Sequence, residues 1–144
     1  MKKTFLPDVN VWVALSFDHH DDHHEPAMGW MNALGDESLA FCRLTQQGLL
    51  RLATNQRIMG EHVLTLAQAW EMYDRIAADT RISFATEPAG VDAEWRRLTQ
   101  ANQPSTHVWN DAYLTAFAHT SGFEIVTFDR GFAQFKLARC TIPD

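Results

Sequence analysis

Three short stretches each set an aspartate at an apolar edge: Phe5-Leu6-Pro7-Asp8-Val9-Asn10, Val108-Trp109-Asn110-Asp111-Ala112-Tyr113-Leu114 and Ile125-Val126-Thr127-Phe128-Asp129-Arg130-Gly131-Phe132. A carboxylate inside an apolar segment is costly unless it is paired, hydrogen-bonded or bound to a cation. A fold that brings all three to one cleft therefore builds an acidic pocket that calls for a metal. Each aspartate also has a local use. Asp8 can cap a following helix, Asp111 can occupy a first helical turn, and Asp129 can nucleate the Asp129-Arg130-Gly131 turn.

The elements that must position them are legible from periodicity. Strands are expected at Thr4 to Leu6, Leu39 to Phe41, Ile82 to Phe84, Glu124 to Phe128 and Arg139 to Ile142. Helices are expected at Val11 to Phe17, Pro26 to Leu34, Thr45 to Thr54, Leu64 to Ala78, Val91 to Ala101 and Asn110 to His119, the last ending at Ser121-Gly122. Alternation of this kind predicts an α/β sandwich with a mainly parallel sheet flanked by helices. If the first strand and the Glu124 strand run parallel, Asp8 and Asp129 share the carboxyl edge where ligands of such folds sit. Asp111 joins them from a helix mouth, where the dipole favours its ionised form. The segments 54–60 and 101–106 read as loops beside that edge and are candidates for specificity.

At 144 residues, 46% hydrophobic and 21% charged, the sequence predicts a single folded domain over 1–144 with a proper core. It shows no apolar run long enough to span a membrane. Pro7, Asp8 and Asn10 interrupt the region a signal peptide would need, which places the chain in the cytoplasm. The net charge of −6 excludes nucleic-acid binding through a general basic field, so phosphate contacts must come from a few arginines or a bound cation. Cys42 and Cys140 have neither metal spacing nor a disulfide framework and read as buried thiols.

Two other features compete for attention. The run His19-His20-Asp21-Asp22-His23-His24 would put His20 and His24 on one face if helical, in reach of zinc or nickel. Standing before Pro26 and a helix, it reads better as a solvated turn. Trp12, Trp30, Trp70, Trp95 and Trp109 can stack on bases, but most have helical spacing with apolar neighbours and so default to packing. A stripe of them left exposed would suit a partner helix.

Four segments, in order, carry a family resemblance: Leu6-Pro7-Asp8-Val9-Asn10-Val11, Leu44-Thr45-Gln46-Gln47-Gly48-Leu49-Leu50-Arg51-Leu52, Trp109-Asn110-Asp111-Ala112-Tyr113-Leu114 and Val126-Thr127-Phe128-Asp129-Arg130-Gly131-Phe132. Together they resemble a PIN-domain protein of the VapC toxin family, ribonucleases paired with VapB antitoxins. The resemblance implies a PIN-like three-layer sandwich over the whole chain and a Mg2+- or Mn2+-dependent endoribonuclease. It further implies an RNA substrate, a VapB-type antitoxin and a homodimer. By motif, Asp8, Asp111 and Asp129 are similar to the family's metal-binding acids, and Asn10 and Thr127 resemble its polar neighbours of the site. Gln46 stands where the family usually carries a glutamate, with Gln47 taking that place if the register slips by one.

Read as chemistry, Asp8 and Asp111 are expected to hold the ion directly and Asp129 to hold it through water or orient the attacking water, with Thr127 and Asn10 steadying the ligands. Arg51 and Arg130 are expected to clamp flanking phosphates of the RNA, each also having the plainer use of a surface charge. A glutamine at position 46 offers a carbonyl oxygen but no charge and no base. The alternative function is thus a catalytically weak PIN module that binds RNA or antitoxin. An aspartate-nucleophile phosphatase is a poorer fit, because Asn10 stands where that chemistry wants a second acid.

Overall fold

The computed structural model describes residues 2–19, 22–135, 140–141 and 143, with no account of the side chains at 133, 140 and 141. His20 and Asp21 of the histidine run, the ends of the expected strand at Arg139 and Ile142, and the Cys140 side chain lie outside the described residues.

In chain order the elements are β1 (Thr4–Pro7), α1 (Val9–Ser16), α2 (His24–Ala33), β2 (Ser38–Phe41), α3 (Arg43–Ala53), α4 (Gln56–Met59), α5 (Leu66–Ala77), β3 (Ile82–Phe84), α6 (Val91–Leu98), α7 (Val108–Ser121), β4 (Glu124–Val126) and β5 (Cys140–Thr141). The strands form one sheet in the order β3-β2-β1-β4-β5. Every pairing is parallel. The chain builds outward from β1 to β3, then crosses back to lay β4 on the other side of β1. That reversal leaves a crevice at the carboxyl ends of β1 and β4, where side chains from both can meet.

Alternation along the two central strands supplies two buried faces. Leu6 and its register partner Ile125 pack with Leu114, Phe117 and Val91, which seats α6 and α7 on one face. Phe5 and Val126 point the other way, against Val11 and Trp30 of α1 and α2. A further cluster of Leu39, Phe41, Trp12, Leu49 and Tyr73 joins α1, α3 and α5 to β2. Within it the Trp12 and Phe41 rings stack at 3.8 Å. Burial of each such large side chain stabilises the fold by about 1.5–3 kcal/mol.

Several boundaries differ from the periodicity by two or three residues, and three of the differences bear on the site. Helix α1 begins at Val9, two residues early, because the Asp8 carboxylate caps it, Oδ1 accepting from the Val9 N–H at 2.8 Å. Strand β4 stops at Val126, not Phe128. The Asp8 N–H closes the ladder on the Val126 carbonyl at 2.8 Å, and the next amides turn to side chains instead. The segment 54–60, read as a loop, holds the short helix α4 and the start of a 3-10 turn at Gly60–His62. By contrast 101–106 is irregular as expected, and α7 ends on Gly122 at φ +73°, whose N–H reaches back to the Ala118 and His119 carbonyls.

Gly48 permits the close approach of α3 to α1. A Cβ there would lie 2.5 Å from Val9 Cγ2, and valine is too stiff at χ1 to yield cheaply. Gly48→Ala is expected to destabilise the fold by about 1–3 kcal/mol. Urea unfolding of the two forms measures it, and a gain in stability, as a helical glycine-to-alanine change gives at an open position, would refute the close contact.

Candidate active site

Two of the three aspartates are fixed by the β1–β4 seam. Asp8 follows β1 directly, and its Oδ2 accepts a hydrogen bond from the Thr127 hydroxyl at 3.0 Å. Thr127 is fully buried, and its oxygen also accepts from the Asp129 N–H at 3.0 Å and from Asn10 Nδ2 at 3.3 Å. One donor and two acceptor positions exhaust a hydroxyl, so Thr127 is satisfied on all sides. Asn10 closes the loop by accepting from the Phe128 N–H at 3.3 Å. The local uses of the acids are realised as well: Asp129 Oδ1 accepts from the Gly131 N–H at 2.8 Å. Capping thus orients Asp8, which lines the cleft, and turn formation orients Asp129, which stands exposed beside it.

Asp111 comes from the first turn of α7 and faces Asp8 across a cleft of about 290 Å³. Its other walls include Gln47, Gly48 and Arg51 of α3 and Asn110 of α7. The wall residues Leu44, Gln47, Gly48 and Arg51 recur at i, i+3, i+4 and i+7, the signature of one helix face. Among the described residues none of the three aspartates joins an ion pair. Burial and charge repulsion make Asp8 and Asp111 harder to ionise. Burial, then the charges of Asp8 and Asp129, push Asp111 up to about 6 against a weaker pull from His107. Burial also raises Asp8, with Asp129 adding to it, while the bonds from Val9 and Thr127 pull the other way.

These donors are hard oxygens, which suit magnesium or manganese in kind. They do not form a closed cage. Among the described residues no three His, Cys, Asp or Glu side chains are gathered tightly enough to enclose an ion. An ion here would rest on one or two carboxylates and keep water in the rest of its shell, as magnesium does.

The structure separates the two glutamines of α3. Gln46 is buried, 7% exposed, its Oε1 accepting from Arg43 Nη1, and it does not line the cleft. Gln47 is the glutamine in the cleft wall. The physical reason is the 100° step between successive helical residues, which puts neighbours on different faces. Arg51 lines the cleft as expected, whereas Arg130 is exposed on the 3-10 turn that follows Asp129 and lines no described part of it. Sequence reasoning passed over Asn110, one residue before Asp111, although the same α7 spacing pointed to it.

The pH dependence of stability follows from Asp111. Its folded-state acidity is weakened, so the native protein binds more protons than the unfolded chain between about pH 4 and 6, and stability falls as pH rises through that window. Asp111→Asn is expected to raise the melting temperature of the metal-free protein at pH 7, with the gain vanishing below about pH 4. Thermal melts across pH measure this. An equal gain at every pH would show that Asp111 is not held against the other charges.

Comparison with known proteins agrees with this geometry. Residues 5–137 match the family model described as PIN domain. Ribonuclease VapC41 of Mycobacterium tuberculosis is 42% identical over 135 residues, covering 90% of this chain and 92% of the relative. Ribonuclease VapC38 of the same organism is 30% identical over 142 residues, covering 93% and 89%. Among solved structures, VapBC2 from Rickettsia felis bound to a promoter DNA fragment superposes with a TM-score of 0.72 at 13% identity, covering 98% of this chain and 99% of the other. Mycobacterium tuberculosis VapC20, a sarcin–ricin loop cleaving toxin, gives 0.65 at 15%, covering 93% and 96%. The two structures share the fold, and the sequence relatives carry the kinship: the chain belongs to the PIN-domain family, among its VapC ribonucleases.

Proposed function

We propose that this protein is a Mg2+- or Mn2+-dependent endoribonuclease, the toxin of a type II toxin–antitoxin system. The observation that carries the reading is that Asp8 and Asp111 line one cleft at the β1–β4 crevice with no ion pair among the described residues, with Asp129 near enough to act on both and tied to Asp8 through Thr127. Kinship with ribonucleases supports RNA as the substrate.

Asp8 and Asp111 are the residues that would hold the ion, and Asp129 would orient a water. When bound, the metal supplies charge for the scissile phosphate and acidifies a water. Asp8 is aimed by two fixed bonds, from Val9 and Thr127, so it needs no reorganisation to receive a cation. Asn10 and Thr127 hold that geometry from behind, and losing such support costs about 10–100-fold in metal affinity or activity. Arg51 stands on the opposite wall, where a guanidinium can hold a phosphate next to the cut. Without a cation, three carboxylates repel RNA, so metal serves binding as well as chemistry.

A VapB-type antitoxin is the proposed partner. The surface groove formed by Leu50, Arg51, Thr54, Leu66, Ala69 and Trp70 supports it, with Leu66 75% and Trp70 50% exposed. Arg51 belongs to this groove and to the acidic cleft, so an apolar segment lying there ends beside the catalytic acids. The homodimer and a cytoplasmic site of action are carried by family likeness. Among the described residues no helix is long and apolar enough to cross a membrane.

Cleavage of end-labelled RNA with magnesium, manganese or EDTA tests the reading. Metal-dependent cutting is expected from the parent and none from Asp8→Asn. Gln47→Glu is expected to tighten metal binding, whereas Gln46→Glu is expected to leave it unchanged because its carboxylate pairs with Arg43. Cutting by Gln47→Glu but not by the parent would make the protein a binding module. Cutting in EDTA, or by Asp8→Asn, would remove the acids from the mechanism.

A further inference from the structure

A second, larger cleft opens on the other side of Asp111. Its volume is about 570 Å³, and its walls come from the end of α6, the segment 99–107, the start of α7 and the 3-10 turn after Asp129. Among the described residues Asp111 alone lines both this cleft and the acidic one. The walls mix Leu98 and Phe135 with the amide, hydroxyl and imidazole groups of Gln103, Ser105, His107 and Gln134. A cavity of about 300–1,000 Å³ with an apolar lining and a few polar groups is the form of a small-ligand site.

Trp109 also borders it, two residues before Asp111, and 51% of this large side chain is exposed. Its position is fixed. The Trp95 indole N–H donates to the Trp109 carbonyl at 3.0 Å, and the two rings meet edge to face at 6.1 Å. Trp95 is in turn packed on Tyr113. An exposed indole held still by its own backbone loses little freedom on stacking, and every base has a face to offer it.

We propose that this cleft is the base-recognition subsite of the nuclease: Trp109 stacks on the base flanking the scissile phosphate, and Gln103, Ser105 and Gln134 select it. This rests on the nuclease reading and adds where the strand runs. A phosphate at Asp111 leaves a neighbouring nucleotide within reach of the second cleft, because the one carboxylate borders both. Amide and hydroxyl groups can donate or accept at a base edge, as recognition of unstacked RNA bases requires. The occupant is therefore a single-stranded nucleotide, since the cleft opens on Asp111, where the scissile phosphate of the proposed reaction would sit.

The test uses metal-dependent cleavage of single-stranded oligoribonucleotides randomised at the positions flanking the cut, with binding of the uncut oligonucleotides in calcium, all three aspartates kept, as a second readout. Trp109→Ala is expected to raise KM and weaken that binding by about ten- to a hundredfold, with kcat changed far less. Trp109→Phe is expected to recover most of the loss. Gln103→Ala and Ser105→Ala are expected to change which base is preferred at one flanking position while leaving metal affinity alone. If the parent cuts RNA with metal but Trp109→Ala retains parental KM, binding and base preference, the subsite is refuted and the nuclease reading stands. If Trp109→Ala instead disturbs only self-association or antitoxin capture, the surface belongs to a protein partner and the proposal falls. If no form cuts or binds RNA, both readings fall together.

Discussion

The structure turns on the parallel pairing of β1 with β4. These strands are more than a hundred residues apart in sequence, and their register sets Pro7 beside Val126. The residues that follow, Asp8 and Thr127, then meet at 3.0 Å. Everything catalytic about the cleft builds on that contact. Asp129 is tied to Thr127 through its N–H, Asn10 spans the two strand ends, and α1 starts where the Asp8 carboxylate caps it. Because β1 is central, with β2 on its other edge, the seam is buried and cannot open without loss of the core.

That rigidity allows the molecule to carry charge where charge is unfavourable. Asp8 and Asp111 are both partly buried and both harder to ionise than free carboxylates, with no arginine or lysine to relieve them among the described residues. Proteins tolerate such a cost at functional sites when the surrounding structure over-determines the geometry. Under the proposed function, that surplus negative charge is what would draw a hard cation to the site. Its cost falls on stability at neutral pH, which the apolar clusters on both faces of the sheet must offset.

The cleft's neighbours extend this logic. Arg51 connects it to an apolar groove on α3 and α5, and Asp111 connects it to the larger cleft beside Trp109. The acids therefore sit between two surfaces of different character, one largely apolar and one polar with an exposed indole. Close helix contacts such as Gly48 against Val9 keep the walls from collapsing onto each other or drifting apart.

The sequence by itself determined the strands, the main helices, the Gly122 stop and the three aspartates, because each follows from local rules: alternation, helical spacing, caps and turns. The motifs around Thr127 and Asn10 also singled out those two residues, which the structure ties to Asp8 and Asp129 by hydrogen bonds. Only the tertiary structure decided that β4 ends at Val126, since one of the bonds that replace its ladder comes from Asn10, far along the chain. It alone decided which glutamine faces the acids, because a rotation of one residue on α3 exchanges the core for the cleft. Nor could spacing place Trp109 at the rim of a second cleft, for its exposure depends on how α6 and the 99–107 segment pack beside α7. Local interactions are written residue by residue, whereas a cleft is the space left between elements, and that space exists only once the sheet order brings them together.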